Sequence, residues 1–157
     1  MVSRASSLLH NANRLMAMAA GIFIFLAASA IDVRSASAEA LVAHVDLSEQ
    51  TVEVYLDGRH LYTWAVSTGR AGHRTPTGTW HPIRLERDWH SRKYGWAPMP
   101  NSVFFYGGYA VHGTTDVVNL GQTASHGCVR LAPQNARTFF DLVLATGRAN
   151  TLIQIVR

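Results

Sequence analysis

The chain has 157 residues, with 14 Lys and Arg against 10 Asp and Glu, which gives a formal net charge of +4. This length fits one globular domain that can bury a hydrophobic core without disulfide bonds or a structural metal ion. The positive excess is small and is not gathered into a stripe, so nucleic acid is excluded as an expected partner. The single cysteine excludes an internal disulfide.

The first 38 residues have the pattern of a secretory signal peptide. Two arginines precede the uncharged apolar run 15–30, and small-residue sites that end at Ala38 follow it. The run is shorter than the roughly 20 apolar residues of a membrane-spanning helix, so cleavage is favoured over a retained N-terminal anchor. We therefore expect residues 1–38 to be removed and residues 39–157 to fold. Other small residues near Ala38 are alternative cleavage sites.

The first part of the mature chain is predicted to be a β-meander. Apolar and polar side chains alternate through short runs between residues 41 and 69, and Asp57-Gly58 is a hairpin-turn signal between two of them. The glycine-rich stretch 69–78 is predicted to be a loop. A strand is predicted over residues 79–87, with Pro82 at an edge or a bulge.

The stretch 88–101 is aromatic, basic and rich in proline. It is too irregular for a core element, so we predict a surface loop or lid. Its aromatic residues Trp89, Tyr94 and Trp96 are candidates for lining a substrate groove, and ordinary partial burial explains them equally well.

The last third of the chain contains the predicted helix. Residues 102–113 predict one or two buried strands broken at Gly107-Gly108. A further loop, residues 114–128, runs up to Cys128, and we call it the cysteine loop. The helix is predicted over 132–147, and a final strand over 151–157. The expected fold is mostly β, with one main α-helix after the cysteine loop.

The lone thiol of Cys128 is either an inert buried cysteine, which is the common state of free cysteine, or a nucleophile. A nucleophilic cysteine needs a lowered thiol pKa, a base, room for substrate and donors for an oxyanion. Gly127 permits unusual backbone dihedrals, and the amides of Gly127 and Cys128 are candidate oxyanion donors. Arg130 adds positive charge that favours a thiolate or a substrate carboxylate.

The candidate base is His112, which is not the histidine adjacent to the thiol. It ends an apolar strand and is followed by Gly113 and a threonine-rich loop. The loop that separates it from Cys128 is long enough to return and bring the two side chains together.

These residues closely resemble the signature of the L,D-transpeptidase (YkuD-type) catalytic domain. The match consists of His112-Gly113 followed by the run Ser125–Arg130, and Arg74–Gly78 resembles the family's T-P-x-G segment. The resemblance implies a β-sandwich over residues 39–157 with the cysteine on a loop at one edge.

The resemblance also implies an exported enzyme of the periplasm or cell surface that acts on peptidoglycan without a metal or other cofactor. Cys128 would attack the carbonyl of the third residue of a tetrapeptide stem, and the terminal D-alanine would leave. An amine of a second stem, or of an anchored wall protein, would resolve the thioester, whereas water would make the enzyme an L,D-carboxypeptidase. Carbapenem-type inhibitors are expected.

The same resemblance implies roles for the residues around the thiol. The Gly113 carbonyl would orient His112, so no triad carboxylate is required, and Asp116 is left unassigned. The other candidates for oxyanion or substrate contacts are Gly127, Ser125, His126 and Arg130. Three of these residues could instead have a structural role. Ser125 would bond to the loop backbone, and His126 and Arg130 would hold the loop in place.

Three alternatives come from other classes of protein. Zinc is one, because His112, His126 and Cys128 are ligand types, although their spacing fits no common zinc motif. The second is a non-enzymatic wall-binding module that has lost activity. The third is a thiol peptidase or sortase of another fold.

Overall fold

A computed structural model describes residues 40–157, and the signal-peptide prediction for residues 1–38 lies outside them. Within the described part of the chain, no helix is long and apolar enough to cross a membrane. Besides short 3-10 turns, residues 40–157 form nine strands and one α-helix: β1 Leu41–Asp46, β2 Thr51–Leu56, β3 Arg59–Ala65, β4 Gly78–Trp80, β5 Arg84–Ser91, β6 Ala97–Tyr106, β7 Tyr109–Gly113, β8 Val129–Leu131, α1 Pro133–Thr146 and β9 Thr151–Val156.

The strands form two sheets that share one core. The five-stranded sheet has the order β3-β2-β1-β9-β4, and the four-stranded sheet has the order β5-β6-β7-β8. Apolar side chains from both sheets meet the buried face of α1 in a single cluster. The predicted mostly β fold with one helix after the cysteine loop is confirmed.

The predicted meander is present as β1, β2 and β3, which pair in antiparallel fashion. Buried and half-buried residues alternate along β1, as expected for a strand with one face on the core. Asp57 and Gly58 both have positive φ, 51° and 75°, which is the conformation that a two-residue hairpin turn requires.

The prediction of an irregular loop over residues 88–101 is wrong. β5 and β6 pair as a long antiparallel hairpin through this stretch, from Asp88↔Pro100 to Ser91↔Ala97. Positive φ at Asn101 and Trp96 marks irregular backbone near the base and near the tip of this hairpin. We call residues 91–97 the hairpin tip.

The strand β8, directly after Cys128, was not predicted. It has only three residues, and it pairs in parallel with β7 through Val111↔Val129 and His112↔Arg130. Three residues are too few to show a period-two pattern. This short pairing nevertheless decides where the thiol lies.

Candidate active site

His112 and Cys128 lie on the same face of the four-stranded sheet. The register pairs His112 with Arg130, and it places Cys128, just before β8, beside Ala110. Because alternate residues share one face of a sheet, His112 and Cys128 are diagonal neighbours on two adjacent strands. Both side chains, with Arg130, line one cavity of about 720 Å³. The structure thus brings together the two residues that the sequence predicted as base and nucleophile.

The imidazole of His112 is buried, with 5% of its surface exposed. Its Nδ1–H donates to the Gly113 carbonyl at 2.7 Å, which leaves Nε2 as the acceptor nitrogen. Burial lowers the pKa of His112 to about 4, and the charge of Arg130 acts in the same direction against the opposing effect of the Gly113 bond. His112 is therefore a neutral base at neutral pH.

The thiol of Cys128 has a raised pKa, contrary to the expectation of a lowered one. Burial is the largest cause, and the amide of Ala110 and the charge of Arg130 oppose it without overcoming it. The side chain packs against the apolar cluster of Met99, Phe104 and Ala110, which explains the desolvation. In this conformation the site therefore holds a neutral thiol beside a neutral imidazole.

Ser125 braces the turn that carries the thiol. Its hydroxyl donates a hydrogen bond to the Cys128 carbonyl at 2.6 Å, and its Oγ accepts one from the Gly127 amide at 2.9 Å. Its backbone also bonds to the segment after β3, because the Ser125 amide donates to Thr68 O at 2.8 Å. The Gly127 amide is thus occupied, which removes one of the two candidate oxyanion donors in this conformation and leaves the Cys128 amide.

Only glycine fits at position 127. Its φ is 111°, in the region that residues with a side chain avoid. A Cβ there would lie 2.5 Å from the Tyr109 ring and 3.2 Å from the Arg74 carbonyl. The T-P-x-G segment that contains Arg74 thus borders the cysteine loop, where Thr75 Oγ1 accepts the Gly69 amide at 2.9 Å.

His126 is held from three sides. Arg70 Nη2 donates to its Nε2 at 2.8 Å, the Tyr94 ring stacks on it at 4.5 Å, and His73 approaches edge-on at 4.6 Å. Its pKa is lowered, first by desolvation and then by the neighbouring cations, beginning with Arg70. These contacts tie the hairpin tip to the cysteine loop. They fit the second of the two roles considered for His126, which is to hold the loop.

Arg130 both lines the cavity and braces a loop. Its Nη1 lies 3.5 Å from Asp116 Oδ2, and Asp116 in turn accepts two hydrogen bonds from Asn119. Asp116, left unassigned from the sequence, therefore partners Arg130 rather than His112.

Only two of the three aromatic candidates of the hairpin lie in the cavity lining. Trp89 and Tyr94 line the cavity, whereas Trp96 is 61% exposed and lies outside its lining. The cavity lining also includes three cations that were not candidates from the sequence, Arg84, Arg92 and Lys93. The basic composition of the hairpin was the only signal for them.

The zinc alternative finds no support in side-chain geometry. Among residues 40–157, no group of three or more His, Cys, Asp or Glu side chains is arranged to hold a metal ion. His126 Nε2 instead accepts a hydrogen bond from Arg70 Nη2.

Comparison with known proteins gives consistent relatives. The family model of the YkuD L,D-transpeptidase catalytic domain matches residues 41–155. L,D-transpeptidase 1 of Mycobacterium tuberculosis is 32% identical over 120 residues, which cover 67% of this chain and 47% of that protein. The chain thus spans about half the length of this curated relative.

Solved structures agree with this match. The L,D-transpeptidase LdtMt1 in complex with imipenem is 29% identical with a TM-score of 0.67, covering 75% of this chain and 59% of that one. The L,D-transpeptidase from Stackebrandtia nassauensis is 28% identical, also with a TM-score of 0.67, covering 75% and 56%.

Proposed function

Because this chain belongs to the L,D-transpeptidase (YkuD) catalytic domain family, we propose that it is an exported cysteine acyltransferase that cross-links peptidoglycan. The observation that carries this proposal is the pairing of a neutral, oriented imidazole with a thiol in one cavity. His112 Nε2 is free to accept a proton because Nδ1–H is held by the Gly113 carbonyl, and Cys128 is on the same face of the sheet.

Acylation begins with proton transfer and attack in one event. As the sulfur of Cys128 bonds to the carbonyl carbon of the third stem residue, its proton passes to His112 Nε2. The resulting oxyanion is stabilised by the Cys128 amide, since the Gly127 amide is held by Ser125. The C–N bond to the terminal D-alanine then breaks, and the imidazolium returns its proton to the leaving amine.

Deacylation reverses the roles. The amine of an acceptor stem or of an anchored wall protein attacks the thioester carbonyl, and His112 takes a proton from this amine. The C–S bond breaks, and the sulfur recovers its proton from the imidazolium. With water as the acceptor, the same steps would make the enzyme an L,D-carboxypeptidase. We propose that this reaction takes place in the periplasm or at the cell surface.

Mass spectrometry of the intact protein tests the proposal. Incubated with a tetrapeptide muropeptide or with imipenem, the protein is expected to gain one acyl adduct on Cys128. Imipenem is chosen because the related LdtMt1 has been solved in complex with it. Cys128→Ala should lose the adduct entirely.

Two further variants sharpen this test. We expect His112→Ala to acylate at least about a hundredfold more slowly while remaining folded, since general bases contribute roughly 10²–10⁴-fold. His44→Ala, on the outward face of β1, is the matched control and should react at the wild-type rate. An adduct that persists in Cys128→Ala, or full transpeptidation by Cys128→Ser, would contradict thioester chemistry at this residue.

A further inference from the structure

The cavity that contains Cys128 is lined unequally by charge. Among the described residues 40–157, its lining includes the cations Arg84, Arg92, Lys93 and Arg130 but only one carboxylate, Asp116. That carboxylate lies against Arg130, at 3.5 Å. The surplus of positive charge therefore belongs to the β5–β6 hairpin side of the cavity.

The register locates this side relative to the nucleophile. Arg84 pairs with Phe104, Phe104 pairs with Ala110, and Ala110 lies beside Cys128. These four residues form one row across adjacent strands on the face that bears the cavity. Strands about 4.8 Å apart place the two ends of the row about 14 Å from each other. Arg84 thus stands at the far end of this row from the thiol, whereas Arg92 and Lys93 precede Tyr94, whose ring stacks on His126, two residues before Cys128.

Arg84 is held in place by its surroundings. Its guanidinium lies 4.3 Å from the centroid of the Trp89 ring and 4.0 Å from that of Phe104. Its Nη1 also pairs with Glu86 at 3.0 Å. One ion pair uses only part of the donor capacity of a guanidinium, so further N–H groups remain for a ligand.

Arg92 and Lys93 stand on the hairpin tip, closer to solvent. Each is placed over an aromatic ring, Arg92 over Trp96 at 5.3 Å and Lys93 over Tyr94 at 5.4 Å. Within residues 40–157 neither cation has a carboxylate within 4.0 Å. They are available cations at the edge of a groove that leads to the thiol.

We propose that the hairpin side of the cavity is a carboxylate-recognising subsite that selects the acyl donor. The enzyme accepts stem peptides that carry an ionised carboxylate on the residue preceding the attacked one, in preference to peptides in which that group is a carboxamide. Arg92 and Lys93 determine this specificity, with Arg84 as the fixed guanidinium behind them. This inference rests on the proposed function, since it concerns the donor of the same reaction.

The test uses two tetrapeptides that differ only in this group, carboxylate in one and carboxamide in the other. We expect kcat/KM for D-alanine release to be about tenfold higher for the carboxylate, as one charge-assisted hydrogen bond provides. In the double variant Arg92→Gln and Lys93→Gln the ratio should approach one through a higher KM for the carboxylate peptide. Added salt should reduce the wild-type preference, because these cations are exposed.

The matched control removes two cations elsewhere. Arg59→Gln with Arg137→Gln alters residues outside the cavity lining and should keep the wild-type ratio. A ratio near one in the wild type, a preference for the carboxamide, or an unchanged ratio in the Arg92 and Lys93 variant overturns the subsite. Turnover of neither peptide by folded wild-type protein would instead refute the proposed function, so the two failures are distinguishable.

Arg84→Lys, which keeps the charge but loses the planar stacking, should weaken the preference without abolishing it.

Discussion

The reactive pair is uncharged at rest for the same reason on both residues. His112 is buried and Cys128 is half-buried against apolar side chains, and this desolvation disfavours imidazolium at His112 and thiolate at Cys128. The Gly113 carbonyl fixes the tautomer without adding a negative charge that would hold a proton on the ring. In the mechanism that we propose, proton transfer is therefore coupled to attack on substrate, and a free thiolate is not maintained. Such a thiol is protected from casual oxidation, because the thiolate is the reactive form.

The depressed pKa of His112 makes stability depend on pH. In the window between its ordinary value near 6.5 and its folded value of about 4, the unfolded chain binds more protons at this residue. Stability therefore falls as pH falls through this window, by about 3 kcal/mol from this residue alone. Urea unfolding of wild type and His112→Gln at several pH values measures the difference. Parallel curves for the two proteins between pH 4 and 6.5 would contradict the burial of a neutral imidazole.

Acylation by imipenem should follow the same protonation. We expect its rate to decline below about pH 4, where His112 gains a proton. Stopped-flow fluorescence or quenched mass spectrometry can follow the rate. A decline centred near pH 6.5 would mean that the histidine titrates as an exposed one.

Much of the candidate site could be predicted from the sequence, because its residues lie in short contiguous segments. His112 with Gly113 and the run Ser125–Arg130 carry their own spacing and residue types. The ionisation state was not readable, since it follows from Met99 and Phe104, which reach the thiol only through strand pairing.

At the scale of elements, the segment after β3 connects the five-stranded sheet to the cysteine loop. Gln50 is buried and bonds to Thr68 at both ends of its amide, donating to Oγ1 at 2.7 Å and accepting from the backbone at 3.0 Å. Thr68 O then accepts the Ser125 amide at 2.8 Å. A side chain in the β1–β2 turn therefore supports the turn that carries the thiol.

Gln50→Ala tests this connection. Loss of the side chain leaves the buried Thr68 groups without partners, which should lower the free energy of unfolding by about 1–3 kcal/mol. We also expect slower acylation of Cys128 under conditions where the protein stays folded. Gln122→Ala, an exposed residue near the same loop, should change neither property. If Gln50→Ala lowered stability but left acylation intact, the support would be structural only.

The element most clearly mispredicted, the β5–β6 hairpin, shows why composition is a poor guide to local structure. Prolines and aromatics suggested an irregular loop, yet Pro98 and Pro100 occupy ladder positions opposite His90 and Asp88. Proline is tolerated where its nitrogen faces no partner strand, and β6 pairs with β7 only over Val103–Tyr106, so at Pro98 and Pro100 it has a neighbour strand on one side alone. The pairing partner decided the outcome, and the partner is not visible in a local pattern.

For the whole molecule, the position of β1 predicts what the chain needs in order to fold. β1 lies between β2 and β9 in the five-stranded sheet, and its residues Leu41, Ala43 and Val45 are buried in the core. We expect a chain of residues 39–157 to fold and to form the Cys128 adduct without the preceding segment. A chain of residues 47–157, which lacks β1, should not fold. Circular dichroism and thermal melting check both, and failure of the longer chain would show that residues 1–38 belong to the folded unit.

The parallel pairing of β1 with β9 could not be foreseen from either strand alone. Both were predicted as strands from their alternation, but Leu41 and Thr151 meet only because the intervening chain builds the second sheet and the helix. Long-range pairing of this kind depends on the whole topology rather than on local propensity.

Strand β9 also has a bearing on the timing of folding. β9 is an interior strand, flanked by β1 and β4. A ribosome still holding its residues would leave β1 without one neighbour and β4 without its sheet. Native structure therefore cannot form until β9 has been synthesised and has left the ribosome. For a protein that we propose is exported, this delay would favour threading through a translocation channel before folding is complete.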